Sequence, residues 1–139
     1  MSRRTARELA MKLLYQLEFQ KSDIESQISA FFAENQVEGK DKEFIGEVVD
    51  GVMKNVSGID SSIEAHAKGW KLGRMSKVDL CILRISVYEI CFRDDIPHNV
   101  SINEAIELAK KFSGEEAGAF INGILGKIVQ QKTVPVDGV

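Results

Sequence analysis

Two cysteines, two histidines and two prolines are all that 139 residues contain, and each scarcity excludes something. Cys81 and Cys91 stand ten positions apart in one expected helix, a rise of about 15 Å, so they do not bridge each other. No Cys-x-x-Cys pair occurs, and His66 and His98 are isolated from each other and from the cysteines. No metal-ligand spacing follows, and no cofactor is expected. No apolar run reaches the length of a membrane span and no signal peptide is recognisable, so a cytoplasmic chain that engages no membrane is expected. Phosphate loop, nucleophile elbow and paired metal-binding histidines are all missing, which leaves no constellation for an enzyme. Period-two alternation is absent too, while apolar residues recur at helical spacing nearly everywhere. The expected fold class is all-α, a single domain over residues 1–139.

What is present is segregated charge. The chain carries a formal net charge of -3, with 44% hydrophobic and 28% charged residues. Residues 1–21 hold Arg3, Arg4, Arg7, Lys12 and Lys21 against Glu8 and Glu18, leaving +3. Residues 66–84 hold Lys68, Lys71, Arg74, Lys77 and Arg84 against Asp79, leaving +4. Between them, residues 23–50 hold eight carboxylates against Lys40 and Lys42, leaving -6. Charge runs alone mean solvated helix faces more often than sites. Three arginines in the opening turns of a helix, however, oppose the helix dipole at about 0.3–1 kcal/mol each. An anionic partner, nucleic acid above all, turns that cost into affinity.

Helix one is predicted over Arg3 to Phe19, with Ala6, Leu9, Ala10, Leu13 and Leu17 as its core stripe. Arg4, Arg7, Met11 and Tyr15 are expected on a second, outward stripe. Guanidinium planes and an aromatic ring on one face suit splayed bases and phosphates, although short basic helices also meet membranes or protein partners. Ser22 with Glu25 predicts a capping box opening helix two. Helix three is expected from Asp41 to near Gly58, and Asp60 is expected to cap a short fourth helix bearing Ile63, Ala67 and Trp70. Lys68 to Arg74, with Gly69 and Gly73, reads as a junction between halves of the core. Ser76 with Asp79 caps a helix to Phe92 that is apolar on nearly every side and therefore central. After Pro97, Ser101 with Glu104 predicts a further capping box, and that helix ends at Ser113-Gly114. The last helix is expected from about Glu115 to Gln130, where Gly118, Gly123 and Gly126 imply close helix approach or room for a partner. Tyr88 and Glu89 read as structural, while Phe120 can point off the core stripe and stack on an unpaired base.

Several blocks taken together are more specific. Arg3-Arg4-Thr5-Ala6-Arg7-Glu8 with Leu14-Tyr15, Leu83-Arg84-Ile85 with Tyr88-Glu89, and Ile96-Pro97 appear in that order. Ser101-Ile102-Asn103-Glu104-Ala105 with Leu108-Ala109-Lys110, then Phe120-Ile121-Asn122-Gly123-Ile124-Leu125, complete the series. From Arg3 to about Val129 the chain resembles the NusB transcription antitermination family. The resemblance implies about seven helices in two three-helix bundles that share the long helix of residues 76–92. The N-terminal bundle would cover about residues 1–70, the C-terminal bundle about 74–132, and a flexible tail 133–139.

The resemblance further implies a protein without catalytic activity that pairs with NusE, a small-subunit ribosomal protein. The pair would bind single-stranded boxA RNA in ribosomal RNA transcripts and assemble on RNA polymerase with other Nus factors. Homodimers that hide the RNA surface are also implied for some members. Carried over by motif position, Arg3, Arg4, Arg7, Tyr15, Glu116 and Phe120 belong to the RNA surface, and Asp79, Leu80 and Ile82 lie toward NusE. Thr5 departs from the most arginine-rich members, and one fewer phosphate contact lowers the salt slope by about 0.7 on single strands. A related domain fronts ribosomal RNA methyltransferases, a reading disfavoured by a sequence ending at Val139. The competing reading is a helical protein-interaction module without RNA specificity of its own. On the dipole argument, Arg7→Ala is expected to weaken RNA binding while leaving the melting temperature unchanged or slightly higher.

Overall fold

The computed structural model describes residues 1–69 and 71–133. The expected place of Trp70 on the fourth helix and the tail beyond Thr133 lie outside the described residues. Seven α-helices and one 3₁₀ turn account for all the regular structure among those residues. None of these helices is long and apolar enough to cross a membrane.

Helix α1 (Arg3–Phe19) opens at Ser2, whose hydroxyl accepts a hydrogen bond from the Thr5 N–H at 3.1 Å. Ala6, Ala10, Leu13, Leu14 and Leu17 are buried along it. The expected outward stripe is broken, because Arg7 and Met11 are only 5% and 3% exposed. Arg7 precedes Leu14 by seven positions, so at 3.6 residues per turn the two lie within about 20° of each other on the helix wheel. Both therefore face inward.

Three capping expectations fail and one holds. Helix α2 (Ile24–Glu34) follows Asp23, which is left-handed at φ 53° and makes no side-chain cap. The Ser22–Glu25 box does not form; instead the Ser22 carbonyl accepts from Gln27 Nε2 at 2.7 Å. Helix α3 (Gly39–Lys54) stops earlier than expected, at Asn55, whose Nδ2 donates to the Gly51 carbonyl at 2.8 Å. Helix α4 (Val56–His66) begins at once, so Asp60 lies inside it rather than at its cap. After the 3₁₀ turn (Leu72–Arg74), helix α5 (Lys77–Phe92) is capped as predicted, Ser76 Oγ accepting from the Asp79 N–H at 3.1 Å.

Helix α6 (His98–Phe112) starts directly after Pro97, where a missing N–H costs nothing. Ser101 thus sits within the first turns, not at the cap, and its side chain is free for other work. Helix α7 (Glu115–Thr133) follows Gly114 at φ 134°.

Helix α5 is the shared element: α1, α3, α4, α6 and α7 all pack on it. Helices α1, α2 and α3 gather on one side of it, α6 and α7 on another, and α4 rests on α5 and α7. Ten of the eleven residues from Leu80 to Ile90, all but Arg84, are buried there. Glycine sets helix spacing at one contact and leaves room at another. A Cβ at Gly51 would lie 2.1 Å from Tyr88 Cε1, so α3 approaches α5 only without one. A Cβ at Gly118 would meet Lys110 Cγ at 3.4 Å, across the α6–α7 contact.

Candidate nucleic-acid interface

The N-terminal end of α1 carries the predicted arginines, and their surroundings differ sharply. Arg3 is exposed and lays its guanidinium 3.9 Å above the Phe44 ring. Arg4, its side chain 62% exposed, forks onto Glu104 of α6, with the nearest contact at 2.7 Å. Glu104 raises the Arg4 pKa, first through that hydrogen bond and then through its charge. Arg7 is inside the protein. Its Nε donates to Glu89 Oε2 at 2.9 Å and its terminal nitrogen to Oε1 at 3.2 Å. Ser101 Oγ donates to the same carboxylate at 2.8 Å, and Ser86 Oγ donates to the Ser101 carbonyl at 3.1 Å. This closed network explains why Glu89 can be 1% exposed inside the most apolar helix. Arg7 therefore does not present itself to a ligand, which corrects its expected place on the surface.

Farther along α1, Tyr15 is 39% exposed and tilts against Phe19, 63% exposed, with ring centroids 4.8 Å apart. Lys12 and Lys111 flank the Phe112 ring at 5.5 and 5.4 Å, and Lys111 also grips Glu8 at 3.1 Å. A face of cations and open aromatic rings thus runs along α1 onto the end of α6. Phe19, Lys111 and Phe112 are additions that sequence reasoning missed. The spacing Phe19 minus Tyr15, one helical turn, was the available signal.

A cleft of about 370 Å³ opens beside the start of α7. Glu116 and Phe120 line it from α7, and Arg74, Ser76 and Asp79 from the other wall. Residues assigned separately to RNA and to NusE therefore share one cavity. Asp79 Oδ1 is buried there without a hydrogen-bond partner among the described residues. Leu80 and Ile82 are not in it: they are 2% and 1% exposed and fill the core, which corrects their expected place at a partner interface. One helical position turns a rim residue into a core residue.

Among the described residues no group of three or more His, Cys, Asp or Glu side chains could hold a metal ion. Helices wrapped around a shared α5, with cations and aromatic rings along α1 and the end of α6, define an all-α protein built on one central helix. A NusB family model matches residues 4–130. The chain belongs to the NusB family. It is 57% identical over 138 residues to the transcription antitermination protein NusB of Acetivibrio thermocellus, covering 99% of this chain and 95% of that one. The corresponding protein of Ruminiclostridium cellulolyticum is 54% identical over 128 residues, covering 92% and 88%. Among solved structures, NusB of T. maritima superposes with a TM-score of 0.86 at 38% identity, covering 94% of this chain and 92% of that chain. A crystal structure of antitermination factors NusB and NusE in complex with dsRNA superposes with a TM-score of 0.83 at 28% identity, covering 93% and 96%.

Proposed function

We propose that this chain is a non-catalytic adaptor of transcription antitermination, pairing with NusE and binding single-stranded boxA RNA as ribosomal RNA is transcribed. The NusB–NusE–dsRNA complex of a protein with the same fold carries this reading. RNA polymerase and the other Nus factors are the assembly it joins, in the cytoplasm.

The roles follow from side-chain chemistry. Arg3 and Arg4 take phosphates, Arg4 exchanging Glu104 for an RNA oxygen. Tyr15 supplies a stacking surface, worth about 1–3 kcal/mol per base. Phe120 offers a second ring, and Glu116 accepts hydrogen bonds from base or ribose rather than from phosphate. Arg7, bound beneath to Glu89, positions the α1 terminus against α6 and is not itself a contact. Asp79 at the cleft rim is the residue we assign to NusE. A homodimer that covers this face would exclude RNA, and sedimentation with and without RNA reads that exclusion directly.

Fluorescence anisotropy with labelled boxA RNA, with and without NusE, tests the proposal. Tighter binding of boxA than of scrambled RNA, sharpened by NusE and weakened by Tyr15→Ala, is expected. Equal binding of scrambled RNA in both conditions overturns it, and a tight NusE complex indifferent to RNA leaves a protein-interaction module instead.

A further inference from the structure

The second basic stretch is not accounted for by that surface. Residues 65–78 contain Lys68, Lys71, Arg74 and Lys77 and no carboxylate. Lys77 reaches Glu18 at 3.4 Å, but Lys68, Lys71 and Arg74 are exposed and form no ion pair among the described residues. The contrast with α1 is direct, since Arg4, Arg7 and Lys12 there all lie against carboxylates, at 2.7, 2.9 and 3.7 Å. Three cations without a carboxylate partner among the described residues therefore stand close together in sequence on the α4–α5 connection.

A groove of about 250 Å³ lies where that connection meets α7, lined by Lys68, Lys127, Phe120 and Gly123 among others. Lys127 is exposed and has no carboxylate partner among the described residues either. The groove is open over Gly123, where a Cβ would meet no atom within 4 Å. Phe120 lines both this groove and the cleft that holds Glu116 and Asp79, and so forms the ridge between them. One side of the ridge carries two carboxylates against the single cation Arg74. The other carries none and has two lysines.

We propose that this groove is a second, sequence-independent binding surface for the phosphodiester backbone of single-stranded RNA flanking the recognised element. The inference rests on the RNA-binding reading above and extends it. A strand crossing Phe120 is polarised by the charges on either side: phosphates settle between Lys68 and Lys127, away from Glu116 and Asp79. Lys71 adds long-range attraction from the connection, while Arg74 stands in the neighbouring cleft with Glu116 and Asp79. Backbone contacts of this kind strengthen binding without reading bases.

The test uses the full chain with NusE and three labelled RNAs: boxA alone, boxA with oligouridine flanks, and oligouridine alone. Wild-type protein should bind flanked boxA more tightly than boxA alone. The Lys68→Gln/Lys127→Gln variant, altered only at exposed positions, should lose that gain while binding bare boxA as before. Its salt slope on flanked RNA should fall by about 1.4, or about 0.7 for each of two lost phosphate contacts. No gain from flanks in the wild type, or no loss in the variant, overturns the proposal. Equal loss on bare and flanked boxA also overturns it, as does loss of NusE with RNA binding intact. If boxA shows no advantage over oligouridine but oligouridine binding still depends on Lys68 and Lys127, the function reading falls and the groove stands.

Discussion

A guanidinium that is 5% exposed needs its full set of partners, and Arg7 has them in Glu89 and, at 3.9 Å, Glu104. Removing one member of such a pair leaves the other charged and dry, at a cost of about 3–5 kcal/mol. Against that, the helix-dipole penalty of about 0.3–1 kcal/mol is minor. Arg7→Ala is therefore expected to lower stability by several kcal/mol in urea denaturation, and adding Glu89→Gln should recover part of the loss. An unchanged midpoint would show that the network contributes nothing. The cysteines divide in the same way. Burial pushes the Cys81 thiol up to about 12; it raises the Cys91 thiol as well, against the charge of Lys132, but Cys91 is exposed to reagent. One thiol per folded chain should react with DTNB near neutral pH and two in guanidinium; rapid reaction of both in the native protein contradicts the burial.

At the scale of elements, the same residue type acts with opposite sign according to what faces it. Glycine to alanine in an open helix gains about 1 kcal/mol. Gly126 has nothing within 4 Å of a prospective Cβ, so Gly126→Ala should gain that amount. Gly51 has the Tyr88 ring at 2.1 Å, and overpacking of about 1–3 kcal/mol outweighs the gain. Gly51→Ala should therefore unfold at lower urea than wild type, and Gly51→Ala/Tyr88→Leu should restore part of the difference. Helix α5, with its Ser76 cap and apolar faces, was legible from pattern alone. The α3–α4 break was not, since Asn55 ends α3 through its own side chain at a place where the apolar period continues through Val56. Ser101 looked like a cap for the converse reason. Local spacing fits, but Pro97 starts α6 earlier and Glu89 claims the hydroxyl.

Across the whole molecule, Arg84 ties α5 to both α1 and α4. It donates to Glu18 of α1 at 2.9 Å and to both oxygens of Asp60 in α4 at 2.8 Å. Burial works against the charged form of Glu18, but hydrogen bonding and charge from Arg84, with Lys21 and Lys77, bring its pKa below the usual range. A carboxylate with a depressed folded pKa contributes stability that is complete above the ordinary glutamate range and is lost as pH falls through the folded value. Glu18→Gln should thus be less stable than wild type at neutral pH, and the difference should close on acidification. A gap that persists in acid would assign the effect to packing instead.

Helical period, the central place of α5 and the absence of enzyme motifs were determined by the sequence itself, because each depends on residues close together in the chain. Arg3, Arg4, Tyr15, Glu116 and Phe120 could likewise be singled out from their types and motif positions. Only the tertiary structure decided which of the predicted contacts face outward. Arg7 turns inward because a carboxylate 82 positions away waits for it, and Leu80 and Ile82 because five helices close over α5. Pairing partners so distant leave no trace in local spacing, and burial is a property of the packed molecule, not of any one helix.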